Sequence, residues 1–290
     1  MKHKIITFGE LMLRLSPDNN ERFTQAHSYE AVYGGGEANT AVSLANFNVD
    51  TRYVTKLPKH TIGQSAVNSL RQYGVDVSRI VRGGDQIGIY FLEKKTSQRP
   101  TNVIYNRNGS AFALATKEDF DWDSIFDGAT WFHFSGITPA ISDNMAEITI
   151  EACKEAKKRG ITVSCDLNYR SKLWSSEKAN KVMSEVCRYV DICIANEDDA
   201  VGIFGMDASK SDKEKNAYIA EELTKMFPNF KMVASVWRTE TSITTFKLQS
   251  MIYTEGKAYY SQEFFMNILD YIGAGDAYCA GTVSYTHLTL

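Results

Sequence analysis

Asp270-Tyr271-Ile272-Gly273-Ala274-Gly275-Asp276 places an acid where a small-residue run, Ala277-Tyr278-Cys279-Ala280-Gly281, begins a helix. The small, flexible residues before that acid bring backbone N–H groups close together. A helix start carries unpaired N–H donors and a partial positive charge, so anions such as phosphate settle there. A carboxylate among those donors repels phosphate unless it serves to take a proton from an attacking hydroxyl. The chemistry suggested is phosphoryl transfer with Asp276 as general base. A glycine turn with Asp276 as an ordinary N-cap fits the same residues. The remainder of the chain decides between them.

At 290 residues and 43% hydrophobic, the chain is long enough to bury one full core. Its formal net charge of −3 and its lack of a Lys/Arg block argue against nucleic acid as a partner. The cysteines (Cys153, Cys165, Cys187, Cys193 and Cys279) share no C-x-x-C spacing. They read as buried small apolar residues in a reducing cytosol. The histidines are scattered, which argues against a zinc site. The opening run from Met1 to Glu10 reads as a strand and not a signal peptide, and no apolar run reaches membrane-spanning length. A cytoplasmic globular protein is expected, with no membrane partner.

These candidates need elements to hold them. Strands are expected over 4–8, 52–56, 130–135, 161–166, 191–195 and 231–236, alternating with helices over 37–46, 63–73, 142–159, 177–189, 198–204 and 216–227. Ser142 or Asp143 is the expected cap of the 142–159 helix, and Gly160 its stop. Continuous apolar strands in βαβα order imply a mainly parallel sheet covered on both faces. Ligands of such sheets bind beyond the strands' carboxyl ends, where Asp166, Asn196 and Ser235 fall. Runs 87–93 and 102–107 break the alternation. With 11–15 and 31–33 they form either a separate small sheet or edge strands of the main one. Antiparallel strands are expected over 242–248, 250–253 and 257–264, with a turn at Glu255-Gly256. Residues 283–290 show no helical period and match one-frame translation of a sequencing-library transposon end. They are expected to be a non-native tail standing where the natural C-terminus is missing.

Tyr33-Gly34-Gly35-Gly36-Glu37-Ala38-Asn39, early, and Asp270 to Asp276, late, together resemble the two signatures of the ribokinase/PfkB family of sugar kinases. Ile87-Gly88-Ile89-Tyr90, residues 103–111, residues 134–140, and Asp166-Leu167-Asn168-Tyr169-Arg170 with Lys172-Leu173-Trp174 are similar to one branch, the 2-dehydro-3-deoxygluconate (KDG) kinases. The resemblance covers residues 4 to about 282. It implies a ribokinase-like α/β fold: one domain, a mainly parallel sheet sandwiched by helices, and a small β-sheet lid from about 11–33 and 87–110. It implies transfer of the γ-phosphoryl of ATP, with Mg²⁺, to a sugar-acid hydroxyl, and leaves room for a homo-oligomer formed through the lid.

Residue by residue, the resemblance makes Asp276 the catalytic base and the amides of Gly273, Ala274 and Gly275 the anion hole. Gly34, Gly35 and Asn39 hold sugar hydroxyls, and Tyr90, Tyr105, Arg107 and Arg170 line the sugar-acid site. A sugar acid calls for positive charge near its carboxylate, and arginine offers a planar fork for it. Asn196, Ser235, Arg238, Gly273 and Gly275 are the expected nucleotide contacts, with Asn196 and Asp199 toward the metal. Asn196-Glu197-Asp198-Asp199 ends in Asp where many family members carry Glu, and Ser235-Val236-Trp237-Arg238-Thr239-Glu240 lacks the usual loop glycine. A neutral-sugar kinase such as a fructokinase, or an inactive sugar-acid-binding protein, are the alternatives.

Overall fold

The structure, a computed structural model, describes residues 4–96, 98–207, 215–242, 245–267 and 272–289; Asp270 and Tyr271 of the late motif lie outside the described residues. Lys4–Phe8 (β1) starts the main sheet. Met12–Pro17 (β2) and Tyr29–Gly34 (β3) leave it, and helix Gly36–Asn46 (α1) returns to strand Asp50–Val54 (β4). Short strands Lys56–Leu57 (β5) and Val81–Arg82 (β6) flank helix Thr61–Arg71 (α2), and a hairpin of Gly88–Glu93 (β7) and Asn102–Asn106 (β8) follows.

The second half alternates more cleanly. After the short helix Trp122–Ile125 (α3) come Ala129–Ser135 (β9), Ile137–Ala140 (α4), Asp143–Lys158 (α5), Thr162–Asp166 (β10) and Ser176–Cys187 (α6). Ile192–Ile194 (β11), Glu197–Phe204 (α7) and Lys215–Met226 (α8) continue the pattern. Met232–Glu240 (β12), Thr245–Thr254 (β13), Lys257–Tyr260 (β14) and Phe264–Asn267 (β15) form an antiparallel end before Ala274–Thr289 (α9).

Among the described residues the main sheet has the order β14-β13-β12-β11-β10-β9-β1-β4, with β15 also on β13. It is parallel from β4 to β12. Alternation along each strand sends neighbours to opposite faces. Ile5, Trp131 and Ile192 meet Leu44 of α1 with Ala280 and Val283 of α9. Ile6, Phe132 and Cys193 belong to the larger cluster built with α5 and α6. Truncating fully buried Phe132 to Ala should cost about 3–5 kcal/mol. Ser142 caps α5, its hydroxyl accepting from the Met145 amide at 3.2 Å, and Gly160 (φ 69°) follows that helix's end. All five cysteines are buried and free.

The interrupting runs form a sheet of their own, β3-β2-β7-β8, parallel only between β2 and β7. This is the lid. Three expectations change. The stretch from Ser235 to Glu240 is not a loop but the continuation of β12, paired residue by residue with β13. One strand, β13, replaces the two expected over 242–253, although Glu255 (φ 51°) and Gly256 (φ 75°) make the expected turn. Helix α9 also runs on to Thr289, against the absence of a helical period read in 283–290. Buried Cys279, Ala280, Val283 and Thr286 recur at helical spacing and supply the apolar stripe that packing needs.

Candidate active site

Two helix starts converge on Asp276. Gly273 takes φ +83°, a left-handed conformation that glycine adopts without strain, and its carbonyl accepts the first helical bond from Ala277 at 2.8 Å. The amides of Ala274, Gly275 and Asp276 therefore have no carbonyl behind them in the helix. The other start is that of α1. A Cβ on Gly36, its first residue, would lie 3.5 Å from Asp276 Oδ1. Helix α1 is pinned to the sheet by Glu37, whose Oε1 accepts from the Ser135 amide, the Ser135 hydroxyl and the Thr138 hydroxyl at 2.7–2.9 Å.

Asn39 Nδ2 donates to Asp276 Oδ2 at 2.7 Å, and Thr40 Oγ1 donates to the Asp276 carbonyl at 3.3 Å. Burial raises the Asp276 pKa, while the Asn39 hydrogen bond and the Arg170 charge work to lower it. The carboxylate is thus made more basic than an exposed one yet keeps partners for its charged form. Asp166, at the carboxyl end of β10, is pushed up to about 7, first by burial and then by the charges of Asp199 and Asp276; its hydrogen bond from Asn168, 3.0 Å long, opposes this.

A cavity of about 590 Å³ opens between lid and body beside Gly273, lined by Gly34, Asn39 and Tyr90 among others. Of the expected sugar-site residues, these three fall on it. The Tyr105 ring lies 5.8 Å from the Tyr90 ring, on the exposed part of the lid. Gly35 serves packing instead: a Cβ there would come within 2.1 Å of the Glu10 carbonyl oxygen. Arg107 also departs from expectation. It is buried, and its Nε and one terminal nitrogen pair with Glu10, which accepts from Ser110 as well. Two of its three guanidinium nitrogens are thus committed to an internal carboxylate, and it does not line the cavity. Arg170 is exposed after β10, and its charge acts on both Asp276 and Asp199.

The expected nucleotide residues are differently placed. Ser235 is buried and its hydroxyl donates to the Ala195 carbonyl at 2.6 Å, tying β12 to the end of β11. Arg238 is exposed on β12 over the Phe246 ring, and lines a second cavity with Lys95 and Glu240. Asn196 and Asp199 form a reciprocal capping box on α7, with amide bonds of 3.1 and 3.2 Å. The other Asp199 oxygen accepts from the Tyr169 amide at 2.7 Å. Both side chains are spent on backbone, so they do not fit as direct Mg²⁺ ligands. Among the described residues no group of three or more His, Cys, Asp or Glu is arranged to hold a metal ion.

Sequence reasoning missed Arg14, which lines the large cavity, and Glu10, which holds Arg107. Arg14 did leave a signal: one charge in the apolar run Leu11-Met12-Leu13-Arg14-Leu15.

A parallel sheet with a β lid, and an acid at a helix start under that lid, define a ribokinase-like small-molecule phosphotransferase. The chain belongs to the pfkB family of carbohydrate kinases, whose sequence profile matches residues 2–286. It is 33% identical over 287 residues to a 2-dehydro-3-deoxygalactonokinase from Haloferax volcanii, spanning 98% of this chain and 84% of that protein. The crystal structure of 2-dehydro-3-deoxygluconokinase from Thermotoga maritima superposes with a TM-score of 0.96 at 44% identity, covering 100% of this chain and 88% of that one. A PfkB family carbohydrate kinase from Listeria grayi superposes with a TM-score of 0.91 at 34% identity, covering 99% and 88%. Among the described residues no helix is long and apolar enough to cross a membrane.

Proposed function

We propose that this carbohydrate kinase transfers the γ-phosphoryl group of ATP to the 6-hydroxyl of 2-dehydro-3-deoxy-D-gluconate, giving 2-dehydro-3-deoxy-6-phosphogluconate and ADP. The observation that carries this reading is the position of Asp276, which sits where the lid cavity meets the start of α9. The names of the Thermotoga and Haloferax relatives support a sugar acid as substrate. The Haloferax relative also favours a second reading, the C4 epimer 2-dehydro-3-deoxygalactonate.

In the proposed reaction the hydroxyl oxygen attacks the γ-phosphorus as Asp276 takes its proton. The new O–P bond forms while the bond to the β-phosphate oxygen breaks, and ADP leaves with that electron pair. Asn39 fixes Asp276 Oδ2 at 2.7 Å, which leaves the carboxylate one orientation toward the hydroxyl. The amides of Gly273, Ala274 and Gly275, with the helix charge behind them, receive the phosphate oxygens. The lid keeps water from competing for the phosphoryl group. Mg²⁺ would arrive on the nucleotide's own phosphates, as this ion usually does, since Asn196 and Asp199 are committed elsewhere. The exposure of Ile104 and Tyr105 on the lid supports a homo-oligomer formed through the lid.

A coupled ADP-release assay over sugars and sugar acids tests the substrate. The two 2-dehydro-3-deoxy acids are expected to exceed fructose in kcat/KM by at least about a hundredfold. Preference for fructose would install the neutral-sugar reading, and tight binding of the acid without turnover the inactive one.

A further inference from the structure

We infer that Arg14, on the lid strand β2, is the residue that selects an acid over a neutral substrate by meeting its carboxylate, the role first expected of Arg107. The inference rests on the sugar-acid reading of the site and adds a residue to it.

Arg14 is 8% exposed, and its Nε has no hydrogen-bond partner. It nevertheless lines the cavity that holds Gly34, Asn39, Tyr90 and Gly273. Its register partner on β7 is Tyr90, on the strand next to β2. Burial raises the Tyr90 phenol pKa, and Arg14, the first influence opposing that rise, is therefore close enough to act on the ring's hydroxyl. A guanidinium stays charged at any working pH, so it cannot escape its burial by losing a proton. A buried charge is normally paired. Arg107 obeys that rule through Glu10, whereas Arg14 faces a cavity with its Nε unspent and a neutral phenol, that of Tyr90, as its hydrogen-bond partner. An anionic ligand group completes it, and in a planar fork a carboxylate fits best. Tyr90 beside it can donate a second hydrogen bond to the same carboxylate.

The same placement explains how the lid can report on substrate. Arg14 travels with β2, so an acid held by it ties the lid to the body, while a neutral sugar leaves the guanidinium without its partner. Selection is thus read as closure over the acid.

The test is a cycle of two proteins and two substrates: wild type and Arg14→Met, each with 2-dehydro-3-deoxygluconate and with its carboxamide, which removes only the charge. Arg14→Met should raise KM for the acid roughly ten- to hundredfold, the range for losing a hydrogen bond to a charged group. The change for the carboxamide should be several-fold smaller, and Arg14→Lys should recover part of the acid's KM. Equal changes for both substrates, or none for either, would overturn the inference and return the selecting role to Arg170 alone. If Arg14→Met does not fold, Arg14→Gln, which keeps the hydrogen-bonding shape without charge, is read by the same criterion. If wild type binds the acid without turnover, the proposed function fails while the cycle is still read from dissociation constants. If wild type neither binds nor turns over the acid, both fall.

Discussion

The two sides of Asp276 are built on opposite principles. Toward the lid, Arg14 keeps its Nε uncommitted, and Tyr90 and Asn39 line an open cavity. Toward β11 and β12, residues of comparable polarity are consumed by the protein itself: Ser235 on the Ala195 carbonyl, and Asn196 with Asp199 on one another's backbone. On the proposed reading, the row of amides opening α9 meets the triphosphate there. If that reading holds, acceptor choice is written in side chains and phosphate binding in backbone. Substitutions on the two sides should therefore fail in different ways, the first in substrate preference and the second in stability.

Asp276 stands at the join, and its replacement should show the largest effect. Asp276→Asn should lower kcat by about two to four powers of ten, the usual cost of losing a general base. Sugar-acid binding, followed by calorimetry, should stay within a few-fold. Near-normal turnover in a host lacking sugar-acid kinases would take the base role away from it. Next comes Arg170→Leu, which removes the charge that acts on Asp276 from beyond β10. Its kcat/KM for the acid should fall roughly tenfold or more, with fructose much less affected. An equal loss for both would make Arg170 a support for Asp276 rather than a reader of charge.

Asp166 sharpens the comparison through pH. Its folded value of about 7 lies above its ordinary 3.8, so the native state holds an extra proton between those values. The stability this contributes is present below about pH 4 and lost as pH rises through about 7. Asp166→Asn does not titrate. Its melting temperature relative to wild type should climb between pH 4 and 7 and then level off. A constant difference across that range would show that Asp166 ionises normally.

The smallest effects belong to the nucleotide side. Asn196→Ala should cost about 1 kcal/mol in stability as a lost helix cap, measured by urea unfolding, and leave the Mg²⁺ dependence of the rate unchanged. Ser235→Ala should likewise lower stability by about 1 kcal/mol and shift KM for ATP less than about threefold. A large rise in KM for ATP in either variant would break the contrast between the two sides.

How far the sequence could be read follows the same division. Elements whose pattern is local were legible: the continuous apolar run of β9, the cap at Ser142, the glycine turn before Asp276. Two interruptions of the βα order were legible, but their pattern fitted a separate sheet and edge strands alike, and only the family resemblance pointed to a lid. Whether a polar side chain spends its hydrogen bonds inside the protein depends on partners far along the chain. Arg107 meets Glu10 across 97 residues and Ser235 meets Ala195 across 40, so neither commitment could be read locally. Arg14 was passed over for the same reason. Its solitude in an apolar strand shows burial but does not say that a cavity lies opposite. The continuation of α9 past residue 282 was missed because Ser284, Tyr285 and Thr286 are weak helix formers, and packing of Ala280 and Val283 overrides that weakness.

Phosphorus NMR of wild-type protein incubated with ATP and 2-dehydro-3-deoxygluconate tests whether Asp276 drives phosphoryl transfer to the acid. A phosphomonoester signal coupled to the two C6 protons is expected, appearing in step with ADP and absent from the Asp276→Asn protein. A phosphomonoester formed from fructose but not from the acid, or one formed undiminished without Asp276, would contradict it.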